Sequence, residues 1–149
     1  MKKLALVLGL VLAVGSSMAS ARPQSETARN RAIVTDFARL FYTERNVPEA
    51  FAKHVVENYI QHNPGIADGR AAAVAALTPK FSNPTARFEV KRIIVDGEYA
   101  VIHLHARLSP EVRGGAVADI YRLKSGKIVE HWDVLQPVPE TAANANTMF

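Results

Sequence analysis

The stretch "VADIYRLKSGKIVEHWDVLQ", Val117 to Gln136, decides the fold. It reads as two strands joined by a tight turn at Lys124-Ser125-Gly126. Asp119 stands inside the first strand and Asp133 inside the second. Aspartate is depleted in strands. A carboxylate facing a core is costly unless it is paired or neutralised. Its presence twice in one hairpin asks for a reason.

The turn sets which side chains share a face. A three-residue loop with Gly126 in a left-handed bulge pairs Leu123 with Lys127. That register sets Asp119 opposite His131, with Val129 and Asp133 on the same face. A two-residue turn sets Trp132 opposite Asp119 instead. The glycine favours the bulge, and a one-residue slip reverses the face. Val117, Asp119, Tyr121 and Leu123 share a side by strand alternation.

Upstream, "ARFEVKRIIVDGEYAVIHLHARL" holds two more strands around Asp96-Gly97, a hairpin signal. Tyr99, Val101, His103, His105 and Arg107 alternate with Ala100, Ile102, Leu104 and Ala106. The expectation puts the histidine set on the side of Asp119. His105, Asp119, Tyr121, His131 and Asp133 would then line one face of the sheet. A few polar groups in an apolar cleft are the usual mark of a small-molecule site. The other face would carry Ile120, Trp132 and Val134, apolar enough to predict a homodimer interface there.

Before the strands the period is helical. Ser25 to Arg45 places Ile33, Val34, Phe37, Leu40 and Phe41 at helix spacing, with Ser25 as N-cap. Pro48 opens a short second helix. "DGRAAAVAALTPKFSN" predicts a third, ending at Pro79. Tyr59 to His62 allows a short extra strand before the Pro-Gly turn. Helices on one face of a mainly antiparallel sheet make an α+β domain.

The first residues, "MKKLALVLGLVLAVGSSMASARPQ", have a secretory layout: Lys2 and Lys3, an apolar run from Leu4 to Val14, then Ala19-Ser20-Ala21. The run is too short to span a bilayer comfortably. Cleavage is expected after Ala21, which divides the chain into a signal peptide, 1–21, and one domain, 22–149. A periplasmic or secreted protein follows, with no membrane attachment after cleavage.

The chain has no cysteine, which excludes thiolate metal ligands, a cysteine nucleophile and disulfides. Its formal charge is +4, half of it from Lys2 and Lys3. The remaining basic residues are dispersed, which argues against nucleic-acid binding.

"YIQHNP" at Tyr59–Pro64, "DG" at Asp68-Gly69, "DIYRLKSGKIVEHWDVLQPVPE" at Asp119–Glu140 and the closing "NTMF" resemble the SnoaL-like polyketide cyclases. The resemblance is to their predicted aldol-condensation group, within the nuclear-transport-factor-2-like superfamily. It implies a curved sheet wrapped around three helices, a cone with a central pocket. It also implies acid/base chemistry without a cofactor on a small hydrophobic carbonyl compound. Asp119 matches the family's strand aspartate and His105 its assisting histidine. His131 joins them as a catalytic candidate, with Tyr59, His62, Tyr121 and Asp133 as substrate-binding candidates.

Plainer readings exist for each residue. Asp119 can pair structurally with Arg122 or His131, and His105 can be a satisfied core imidazole. His62-Asn63-Pro64 can fix a turn through Asn63. "HLH" also raises a metal site from His103, His105 and His131, but Glu111 falls beyond the strand and the expected set contains no metal. A third class is a non-catalytic small-ligand-binding module of the same fold. Met148 and Phe149 could plug a pocket mouth or a partner subunit.

Overall fold

The computed structural model describes residues 25–149; the expected signal peptide and cleavage site lie outside the described residues. Helix α1 (Glu26–Ala38) starts at Ser25, whose hydroxyl accepts from the Ala28 amide. It continues as a π-helical turn, Arg39–Thr43. Helix α2 (Val47–His54) is capped by Asn46, and strand β1 (Val55–Gln61) follows directly. Then come α3 (Arg70–Phe81), β2 (Arg87–Asp96), β3 (Tyr99–Arg107), β4 (Gly115–Lys124) and β5 (Lys127–Pro137).

The strands form one five-stranded sheet, ordered β1-β5-β4-β3-β2. Only β1 runs parallel to its neighbour; the other pairs are antiparallel. The three helices cover one face of the curved sheet, as the α+β reading expects. Phe37, Phe41 and Phe51 pack edge-on or tilted between helices and sheet. The short extra strand is longer than expected and closes the sheet edge beside β5. Helix α3 runs through Pro79 to Phe81 rather than stopping. A proline in the last turn forfeits only one backbone bond, and Ser82 closes the helix onto Thr78.

The decisive hairpin takes neither expected register. Its turn has two residues, Ser125 and Gly126, both at positive φ, and pairs Lys124 with Lys127. That turn alone would set Trp132 opposite Asp119. A bulge at Val129 then shifts the ladder, so Arg122 pairs with Glu130 and Asp119 with Asp133. The extra residue restores the face that the three-residue loop predicted. His131 and Asp133 point inward with Asp119, two positions away from the expected pairing.

Candidate functional site: a buried Asp–His pair in an apolar cone

Between helices and sheet lies a cavity of about 460 Å³, within the size range of small-molecule sites. Its walls are apolar, with Phe41, Phe51, Leu77, Phe81, Phe88 and Leu104 among them. Phe81 stacks on both Phe41 and Phe88. The polar groups gather around Asp119 on β4, which is 8 % exposed.

Both oxygens of Asp119 are engaged. Oδ2 accepts from the Tyr42 hydroxyl at 2.5 Å, and Oδ1 lies 3.1 Å from His131 Nε2. Tyr42 spends its proton on Asp119, so the Tyr121 hydroxyl, 2.8 Å away, donates to Tyr42. Burial pushes both phenols well above the usual tyrosine range, and the neighbouring Asp119 charge adds to it. Tyr59 is raised for the same two reasons. His131 sits between Tyr59 and Tyr121, with ring centroids 6.4 and 4.8 Å away.

The tautomer of His131 follows from its far side. Nδ1 lies 2.8 Å from Gln61 Oε1, and the Asn63 amide donates to that same oxygen at 3.0 Å. The Gln61 oxygen is therefore an acceptor, and His131 Nδ1 must carry a proton. One further proton occupies the Nε2···Oδ1 contact. It rests either on the imidazole, leaving Asp119 a carboxylate, or on Asp119, leaving Nε2 bare. Asn63 also holds the turn through Gly65 and donates to Asp133 Oδ2 at 2.5 Å. Asn63 thus orients Asp133 directly and reaches His131 through Gln61.

Asp119, His131, Tyr59, Tyr121 and Asp133 all line the cavity. His105 does not. In the β3–β4 ladder Ile102 faces Asp119, and His105 faces Ala116. The histidine set therefore occupies the outer face. His105 Nε2 meets the Arg113 carbonyl at 2.8 Å, and its ring stacks on Phe149 at 4.2 Å. The terminal phenylalanine thus covers the outer face and does not plug the chain's own cavity mouth. His62 is also outside: it pairs with Glu130 and stacks on Trp132. Its neighbours on either side, Gln61 and Asn63, line the cavity instead.

The "HLH" metal set is not assembled either, because His103 and His105 face away from His131. Asp119, His131 and Asp133 each offer an atom within 4.8 Å of the others, so this trio holds the residues that could take a metal ion. Arg122 pairs with Glu130 and Glu98, not with Asp119.

Tyr42 was missed by helical spacing. Five positions past Phe37, a regular helix carries it roughly 140° around, off the buried stripe. The π turn widens the helix, with the Glu44 amide reaching the Arg39 carbonyl. Leu40, Phe41 and Tyr42 are then buried in succession. Such turns recur at functional sites.

Curved sheet, helical cover and polar-based cone define the nuclear-transport-factor-2-like fold. The chain belongs to the SnoaL-like domain family, whose match spans residues 34–131. No curated protein matches it. A solved NTF2-like protein from Mesorhizobium loti superposes with a TM-score of 0.64 at 21% identity, covering 77% of this chain and 97% of that one. A ketosteroid isomerase-like protein from Kribbella flavida gives 0.65 at 17% identity, covering 80% and 86%. A polyketide cyclase-like protein from Acidithiobacillus ferrooxidans gives 0.57 at 18%, covering 75% and 91%. These likenesses carry the fold.

Proposed function

We propose that the protein is a cofactor-independent acid/base enzyme acting on a small hydrophobic carbonyl compound, of the aldol-condensation, cyclase or isomerase type. The observation that carries the reading is the Asp119–His131 pair, with its tautomer set by Gln61, at an apolar cavity.

With the shared proton on His131 Nε2, Asp119 is a carboxylate and can take a proton from the carbon α to a carbonyl. The C–H bond pair moves into the α-carbon–carbonyl bond, and the carbonyl π pair moves onto oxygen. The imidazolium beside the site stabilises that oxyanion. Asp119 then returns its proton to the same or another carbon, or the enolate carbon bonds to a second carbonyl carbon, whose π pair moves onto its oxygen and takes the proton back from Asp119. Tyr42 holds the carboxylate, and the aromatic walls exclude water. Tyr59, Tyr121 and Asp133 shape the substrate's surroundings.

The saturated hydrogen bonding of Asp119 favours a second reading, a pocket that binds such a ligand without turnover. Incubation with small apolar ketones in deuterated water separates the two. Wild-type protein should speed deuterium entry at the α-carbon, and Asp119→Asn should lower that rate about 10²-fold or more. No exchange by wild type selects the binding module, and equal rates in both proteins remove Asp119 from the chemistry.

The reading includes a homodimer through the outer sheet face and a periplasmic or secreted location. Ile94, Val101, Ile120 and Trp132 form a row across that face, and Ile94 is 55% exposed. Sedimentation as a monomer at all concentrations would contradict the dimer.

A further inference from the structure

The hydrogen bonds at the polar end of the cavity are mostly spent within the protein. Asp119 uses both oxygens, on Tyr42 and His131. His131 uses both ring nitrogens, on Asp119 and Gln61. Tyr42 gives its proton to Asp119, and Tyr121 gives its own to Tyr42. The Gln61 oxygen takes two donors, the His131 ring and the Asn63 amide.

Asp133 is the exception. Its one hydrogen bond among the described residues comes from Asn63, onto Oδ2. Oδ1 has no such partner, on a half-buried residue that lines the cavity. A carboxylate oxygen accepts and cannot donate. Covering it with a ligand that brings no donor costs the desolvation of a charged group. A ligand that fills this end of the cavity must therefore bring a donor to Asp133. Lys80, also on the cavity wall, disfavours a cationic one, which leaves a hydroxyl.

The spacing suits a ketone that carries that hydroxyl close by. Asp133 is the direct cross-strand partner of Asp119, and the two carboxylates each offer an oxygen within 4.8 Å of the other. A substrate with its α-carbon at Asp119 can reach Asp133 with a hydroxyl on the next carbon. We propose that Asp133 is a specificity-determining residue that selects β-hydroxy ketones, its Oδ1 accepting from the hydroxyl. The proposal rests on the cavity being the site of the carbonyl compound and narrows the substrate class to the kind of molecule that addition of an enolate to a carbonyl produces. A site built to bond a hydroxyl rejects the analogue that lacks it far more strongly than an apolar pocket can.

Calorimetric titration with three ligands tests it: methyl hexyl ketone, the same ketone hydroxylated at the β-carbon of its hexyl chain, and the methyl ether of that hydroxy ketone. The ether keeps the oxygen and loses the proton, so it separates a need for a donor from a need for polarity. Wild-type protein should bind the hydroxy ketone about tenfold or more tightly than either other ligand. Asp133→Asn should erase that preference and strengthen binding of the ether. Asn63 holds the oxygen of the new amide and leaves its nitrogen, a donor, to the cavity. A merely structural Asp133 would weaken all three ligands alike. If the variant fails to fold, the wild-type ratio of hydroxy ketone to ether decides alone. Equal affinity for those two, a preference that survives Asp133→Asn, uniform weakening, or no binding of any of the three overturns the proposal. Asp119→Asn should lower α-proton exchange and keep the hydroxyl preference, so the two readings fail separately.

Discussion

At the scale of single residues, the site is a chain of donors that ends on one carboxylate. Tyr121 donates to Tyr42, Tyr42 donates to Asp119, and His131 closes the other side. Tyr42→Phe removes a donor from Asp119 and leaves the buried Tyr121 hydroxyl without its acceptor. It should cost about 1–3 kcal/mol of stability. Removing Tyr121's hydroxyl as well deletes the orphan. The double variant Tyr42→Phe/Tyr121→Phe should therefore cost less than the two single changes summed. Urea unfolding of the four proteins measures this, and simple additivity would contradict the chain.

Strand alternation puts Asp119 and Tyr121 on one side, the turn reading adds His131 and Asp133, and the resemblance adds Tyr59. Asp119, Tyr121, His131, Asp133 and Tyr59 were all expected in the cavity, and all line it. His105 was not readable in that way. Alternation tells which residues of one strand share a side, but not how that strand pairs with the next. The β3–β4 connection, Leu108 to Gly114, gives no register signal of the kind a two-residue turn gives. The turn role expected of Asn63 holds, since its Oδ1 accepts from the Gly65 amide, but the roles of Gln61 and Asn63 towards His131 and Asp133 leave no mark in the sequence pattern. Their work is to orient another side chain, and only the assembled geometry reveals it.

At the scale of elements, two irregularities place the chemistry. The first is the bulge at Val129. Val129 is the one residue of β5 left over between the Leu123–Ile128 and Arg122–Glu130 pairs. Deleting it joins those pairs into a regular ladder, with Tyr121 still opposite His131 and Asp119 still opposite Asp133. His131 and Asp133 then stay inward, so the variant should fold and keep the wild-type nitrogen-15 pattern of the His131 ring. A folded variant in which His131 loses its partners and becomes solvent-exposed would contradict this register. The second irregularity is the π turn that returns Tyr42 to the buried side. Helix, strand and hairpin positions were legible because apolar spacing is written in composition. A bulge and a π turn each change the count by one residue, which spacing rules read as noise.

At the scale of the whole molecule, three buried phenols tie the cavity to global stability. Tyr42, Tyr59 and Tyr121 are raised, so the folded state keeps their protons at pH values where the unfolded chain loses them. Their contribution is complete below the ordinary tyrosine value of about 10. It declines above that value, because the unfolded state alone releases protons. The urea midpoint should fall steeply above about pH 10, and Tyr59→Phe should make the fall shallower. A midpoint with the same alkaline slope in both proteins would contradict the coupling. The fold itself was legible at this scale. Its order of helices before strands, and the resemblance in the last hairpin, named the architecture that the structure shows.

The account turns on one proton held between His131 and Asp119, with Gln61 fixing the other ring nitrogen. Nitrogen-15 NMR of the histidine rings tests it directly. The account predicts that His131 Nδ1 is protonated whenever the protein is folded, whichever partner holds the shared proton. A His131 ring with bare Nδ1 and its proton on Nε2 would contradict it.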